Sequence, residues 1–143
     1  MKLSLGADHA GYELKEKLKK FLKAKGHRVI DRGTDSPESV DYPDFARKVA
    51  RDVAKKRAKF GILICGSGLG MAMAANRVRG VRAAPCESVY TVKMARAHND
   101  ANILTLGARI TGPAKARRMA DVFLKTKFEG GRHLRRVKKI EKL

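Results

Sequence analysis

The ten residues Gly61-Ile62-Leu63-Ile64-Cys65-Gly66-Ser67-Gly68-Leu69-Gly70 constrain this chain more than any other segment. A short apolar run ends in a thiol, three glycines follow within five residues, and Met71-Ala72-Met73-Ala74-Ala75-Asn76-Arg77 continues in helix formers. Strand, glycine turn and helix is the arrangement by which a chain presents bare backbone N–H groups and a helix N-terminus to an anion. The same dipole favours negative charge on a thiol at its edge, which makes Cys65 a candidate base or nucleophile. A dinucleotide fingerprint is excluded because the third glycine comes one residue early. A Walker A loop is excluded because Gly-Lys-Ser/Thr is absent. The segment alone leaves two readings open: a site for an oxyanion or small phosphate, or a tight turn over a buried structural cysteine.

Five short apolar runs recur along the chain, at Lys2–Ala7, His27–Asp31, Phe60–Cys65, Gly80–Pro85 and Asn102–Leu106. Helical patterns separate them at about 11–25, 43–58, 69–78, 88–98 and 114–126, and another starts near residue 131. This rhythm predicts an α/β fold with a parallel sheet covered by helices on both faces. No linker or repeat divides residues 1–143, so one domain is expected. Ligands of such folds bind at the carboxyl ends of the strands. There the sequence places Asp8 and His9, Gly33 and Thr34 with Asp41 and Tyr42 beyond, Cys65 with Gly66–Gly70, Cys86-Glu87-Ser88, and Gly107 with Arg109.

With 143 residues and 43% hydrophobic content, the chain can bury a core of its own. No apolar stretch approaches the ~20 residues of a membrane span, and the N-terminus lacks signal-peptide character. Two cysteines without metal-like spacing fit a reducing cytoplasm and give no disulfide framework. The formal charge of +19 suggests polyanions, yet Lys15, Lys17, Lys19, Lys20 and Lys23 alternate around Leu14, Leu18, Phe21 and Leu22 as on a solvated helix face. Lys55-Lys56-Arg57 and Arg135-Arg136-Val137-Lys138-Lys139 are the densest basic clusters, and no nucleic-acid-binding motif accompanies them. Nonspecific polyanion contact is the only partner this charge implies. A nucleic-acid-binding protein remains the competing class.

Asp8-His9 after the first strand fits an acid/base or phosphate-facing pair, and Asp8 equally fits a helix N-cap. His98-Asn99-Asp100 closes a helical pattern, either as a general acid or as a simple helix stop. Arg132 and Arg136 share a helical face at i, i+4, and so could clamp a phosphate or be solvated charge. Cys86 is assigned no chemistry.

With these residues assembled, the chain resembles the ribose-5-phosphate isomerase B family, which includes the galactose-6-phosphate and allose-6-phosphate isomerases. The resemblance rests on Gly6-Ala7-Asp8-His9-Ala10-Gly11, Asp41-Tyr42-Pro43, Ile64–Gly70, Ala74-Ala75-Asn76-Arg77, His98-Asn99-Asp100-Ala101-Asn102, Gly107-Ala108-Arg109 and Phe128-Glu129-Gly130-Gly131-Arg132-His133. It implies a single three-layer αβα domain of Rossmann-like type with a five-stranded parallel sheet. It also implies a cofactor-free and metal-free aldose–ketose isomerase acting through an enediolate, on ribose 5-phosphate or alternatively on a six-carbon sugar phosphate. Carried onto this chain, Cys65 is the base between C1 and C2, and Ser67 is its hydroxyl neighbour. The amides of Gly66, Ser67, Gly68, Leu69 and Gly70 face the oxyanion. His98 opens the ring, Asp8 and Asn99 bind sugar hydroxyls, and Tyr42 flanks the pocket. His9, Arg109, Arg132 and Arg136 hold the phosphate. One branch of the family carries a glutamate base just after the glycine loop, where this chain has Met71, which favours the cysteine mechanism. The family builds each site from two subunits, so a homodimer or homotetramer is expected, with Met71, Met73 and Met94 as candidate contact residues.

Overall fold

Strands and helices alternate through the computed structural model, which describes residues 1–143. The order is β1 (Lys2–Ala7), α1 (Tyr12–Ala24), β2 (Arg28–Asp31), α2 (Tyr42–Ala54), β3 (Phe60–Cys65), α3 (Leu69–Ala75), β4 (Ala83–Pro85), α4 (Val89–Asn99), β5 (Ile103–Gly107), α5 (Pro113–Lys125) and α6 (Arg132–Ile140). All pairings are parallel, and the sheet order is β2-β1-β3-β5-β4. The expected three-layer fold is therefore present. No helix is long and apolar enough to cross a membrane.

Alternation along each strand sends side chains to two separate cores. Leu3, Leu5, Ala7, Ile62, Ile64, Leu104 and Leu106 pack with α1, α4 and α5, while Leu63, Cys65 and Ile103 pack with α2 and α3. Helix α2 lies close to the sheet because Gly6 and Gly61 stand beneath Val49. A Cβ at either glycine would lie 2.9 or 2.7 Å from a Val49 methyl. Ser4 points to the same face, and its hydroxyl donates to the buried Asp52 at 2.8 Å. Arg32 and Arg57 also donate to Asp52, at 2.6–2.9 Å, and hold its carboxyl below the usual carboxylate range against the opposing effect of burial.

Two helices end earlier than the sequence suggests, and each has a local cause. Helix α2 stops at Ala54 because the Asp52 carbonyl accepts from both Arg57 and Ala58, turning the chain through Lys56 at φ +56°. Helix α3 stops at Ala75 because Asn76 binds the next strand instead. Its Nδ2 donates to the Ala83 carbonyl at 2.9 Å, and its Oδ1 accepts the Ala83 N–H at 2.7 Å.

Candidate active site

The chain passes from β1 outward to β2 and then returns past β1 to β3 on its other side, so the connections diverge at β1 and β3 and leave a crevice at their carboxyl ends. Asp8 and His9 follow β1, and Cys65 ends β3. Cys65 is 5% exposed, and the Gly68 N–H donates to its Sγ at 3.1 Å. That contact requires Gly68 at φ +81°, where a Cβ would lie 2.9 Å from the Leu106 carbonyl carbon. The Gly68 carbonyl is fixed in turn by the buried Thr105 hydroxyl at 2.8 Å. The Leu69 N–H donates to Ser67 Oγ at 3.3 Å, while the amides of Gly66, Ser67 and Gly70 make no hydrogen bond within the chain. A sulfur with an N–H aimed at it and free donors beside it suits a base flanking a developing oxyanion.

The remaining glycines of the loop admit neighbouring side chains. A Cβ on Gly66 would lie 2.9 Å from the Arg109 guanidinium, and one on Gly70 would lie 2.6 Å from the Tyr42 ring. Arg109 therefore packs against the loop at Gly66, and Tyr42 packs against it at Gly70. The turn after β5 is stitched to the loop where Ala108 donates to the Cys65 carbonyl (2.8 Å) and Arg109 to that of Gly66 (3.1 Å). His9 accepts the Val40 N–H at Nδ1 (3.1 Å), which leaves Nε2 as the N–H donor of a neutral ring. Asp8 is buried and accepts the Gly11 N–H at 3.1 Å; Gly11 itself is the N-cap of α1.

His98, Asn99, Arg132 and Arg136 lie elsewhere. Helix α4 runs back across the sheet, so His98 in its last turn sits by the start of β5 rather than its end. Asn102, four residues on, receives the Gly61 N–H at the beginning of β3. Cys65 lies four residues beyond Gly61, or ~13 Å at ~3.3 Å per residue. Within one chain Cys65 and His98 thus occupy opposite edges of the sheet, and the rim residues do not include His98, Asn99, Arg132 or Arg136. Met71 is fully buried under α2 and is no contact residue, Met94 is partly buried, and Met73 is 71% exposed.

The second edge has its own organisation. His98 and His133 stack with ring centroids 4.2 Å apart and planes 7° from parallel. Glu129 Oε2 lies 3.7 Å from His98 Nε2 and 3.6 Å from His133 Nε2. Burial, then the neighbouring His98, Arg132 and Arg136, push His133 below the ordinary imidazole range, with Glu129 opposing them. The Glu129 N–H donates to the Ala97 carbonyl at 3.0 Å, tying the loop before α6 to the end of α4. The sequence alone does not mark Thr105, Glu129 or His133 as site residues. The i, i+4 spacing of Glu129 and His133 was the signal available for that pair, whereas Thr105 gave none. Cys86 is buried, and burial pushes its thiol up with Thr91 opposing, which fits a structural role.

The sequence profile described as Ribose/Galactose Isomerase matches residues 3–140. Ribose-5-phosphate isomerase B of Escherichia coli is 43% identical over 139 residues, which cover 97% of this chain and 93% of that protein. A crystal structure of a ribose 5-phosphate isomerase from Thermotoga maritima superposes with a TM-score of 0.97 at 52% identity, covering 99% of this chain and 98% of that one. The Mycoplasma genitalium ribose-5-phosphate isomerase B with bound ribulose-5-phosphate superposes with a TM-score of 0.95 at 43% identity, covering 99% and 94% of the two chains.

Proposed function

The chain belongs to the ribose/galactose isomerase family, and on that premise we propose that it interconverts ribose 5-phosphate and ribulose 5-phosphate with Cys65 as the proton-transferring base. The observation that carries this reading is the Gly68 N–H on Cys65 Sγ, with the unpaired amides of Gly66, Ser67 and Gly70 alongside. The Cys65 thiolate removes the proton from C2 of the open-chain aldose, and charge develops on O1. The free amides bind that oxyanion, an effect worth ~3–4 kcal/mol per donor in comparable sites. The proton returns from sulfur to C1 while the O2 proton is exchanged for one on O1, and the ketose is formed. His9 Nε2–H and Arg109 bind the phosphate, Asp8 binds a sugar hydroxyl, and Tyr42 walls the pocket over Gly70.

Ring opening needs an acid at the ring oxygen. His98 is that acid, and it reaches a Cys65 rim only from a second copy of the chain, which also brings Asn99, Arg132 and Arg136. The separation of the two residue groups on opposite sheet edges supports a homodimer with shared sites. Leu69 and Met73, exposed on α3 next to the glycine loop, supply apolar surface for that contact.

The test is a coupled assay of the purified protein on ribose 5-phosphate and on allose 6-phosphate, with and without chelator. The expected result is faster turnover of the five-carbon substrate, unchanged by chelator. Turnover of the six-carbon sugar phosphate alone would contradict the assignment.

A further inference from the structure

We infer that Arg82 is a positioning residue for the ring-opening half of the site: it ties the end of α4, which carries His98 and Asn99, to the end of α6, which carries Arg132 and Arg136. The inference rests on the shared-site reading above. Arg82 stands just before β4, and Asn102 fixes its backbone to the sheet edge. The Asn102 Oδ1 accepts the Arg82 N–H at 2.8 Å, and the Asn102 N–H donates to the Arg82 carbonyl at 3.0 Å. From that anchor all three guanidinium nitrogens reach a helix end, and the side chain is 18% exposed. Nε donates to the Asn99 and Asp100 carbonyls at 3.2 and 3.0 Å, and Nη2 to the Asp100 carbonyl at 2.9 Å and its carboxylate at 3.3 Å. Nη1 pairs with the Glu141 carboxylate.

Carbonyls at the end of a helix have no intrahelical partner, and Arg82 supplies one for the last two of α4. Asp100 also closes α4 in the left-handed region, at φ +46°, which a non-glycine residue holds only where its surroundings fix it. Arg96 Nη1 donates to the other Asp100 carboxylate oxygen at 2.7 Å, but Arg96 belongs to α4 itself, whereas Arg82 reaches this turn from β4 and continues to α6. The first turn of α6 is held by the His98–His133 stack and by the Glu129 N–H on the Ala97 carbonyl. Glu141 caps the opposite end, nine residues or ~13 Å away. Arg132 and Arg136 lie between these two fastenings. Cutting the Glu141 contact leaves α6 held by its first turn and buried Val137, so Arg136 is displaced. Cutting Arg82 frees the Asn99 and Asp100 carbonyls as well, and His98 loses its fixed direction. A lysine keeps the charge but lacks the planar fork that serves both helix ends at once.

Steady-state kinetics and mixed dimers test the role. Arg82→Lys should keep wild-type circular dichroism and sedimentation while kcat/KM for ribose 5-phosphate falls at least about tenfold. Glu141→Ala, which frees only the α6 end, should raise KM several-fold with kcat nearly unchanged. Co-refolded with Cys65→Ala and assayed below KM, Arg82→Lys should recover about one quarter of the wild-type rate, because the mixed dimer joins its Cys65 to a His98 half with Arg82 intact. Co-refolded with His98→Asn, it should give no more than the mean of the two components. Mere support of the fold would produce no such asymmetry. The pair of Cys65→Ala with His98→Asn, run alongside, separates the two readings. If that pair recovers nothing, the shared site fails and the proposal with it. If that pair recovers, any other pattern for Arg82→Lys overturns the positioning role alone, as does wild-type kcat/KM in Arg82→Lys. Should Arg82→Lys not fold natively, an unchanged KM in Glu141→Ala overturns the proposal.

Discussion

Gly68 donates its N–H to Cys65 Sγ at 3.1 Å, and it can do so only from the left-handed backbone conformation that glycine adopts without strain. Gly68→Ala would place a Cβ 2.9 Å from the Leu106 backbone while forcing φ +81° on an L residue. We expect a stability loss of about 2–3 kcal/mol in urea denaturation, from backbone strain and displacement together. The kcat of the surviving folded fraction should fall by more than tenfold, because the amide leaves the sulfur.

Gly66→Ala separates binding from chemistry. Its Cβ would meet the tip of the flexible Arg109 side chain at 2.9 Å rather than backbone. Arg109 should swing aside at little cost in stability. Steady-state kinetics should then show KM for the sugar phosphate raised about tenfold, equivalent to ~1.4 kcal/mol, with kcat nearly preserved.

The two cysteines should behave oppositely. Cys65→Ala removes the proposed base and should lower kcat by about 10²- to 10⁴-fold, the usual range for a general base, with KM little changed. Cys86→Ser alters a buried thiol away from the glycine loop, and turnover should stay within about twofold of wild type. Near-normal kcat in Cys65→Ala would remove the thiol from the mechanism.

Asp52 gives a pH dependence of known sign. Its folded-state pKa is depressed by the hydrogen bonds of Arg32, Ser4 and Arg57. Its contribution is therefore complete above the unfolded carboxylate pKa of ~3.9 and is lost as pH falls through the lower folded value. Asp52→Asn should cost about 2–3 kcal/mol at pH 7, as expected for charge-assisted hydrogen bonds to a buried carboxylate. The gap between variant and wild type in thermal melts should narrow only below about pH 4.

Much of this arrangement was legible in the residues, for identifiable reasons. β3 and its loop announce themselves because Ile62-Leu63-Ile64 is buried on both faces and the glycines sit where Arg109, Tyr42 and the Leu106 backbone press close. The strand order was not legible, since nothing local says that β5 inserts between β3 and β4. The end of α3 was hidden because the competing interaction, Asn76 with Ala83, spans a turn. His98 carried a usable signal in its place at the end of a helical pattern. A helix returning between parallel strands must end at the edge opposite Cys65, which places the two groups apart in one chain.

If Cys65 of one chain works with His98 of another, two variants that are each inactive should complement one another when mixed. Cys65→Ala and His98→Asn would be co-refolded in equal amounts and assayed on ribose 5-phosphate. Random pairing makes half of the dimers mixed, each with one intact site of two, so about one quarter of wild-type turnover should return. A mixture no more active than the mean of its two components would contradict the shared site and return the ring-opening acid to the rim of Cys65's own chain.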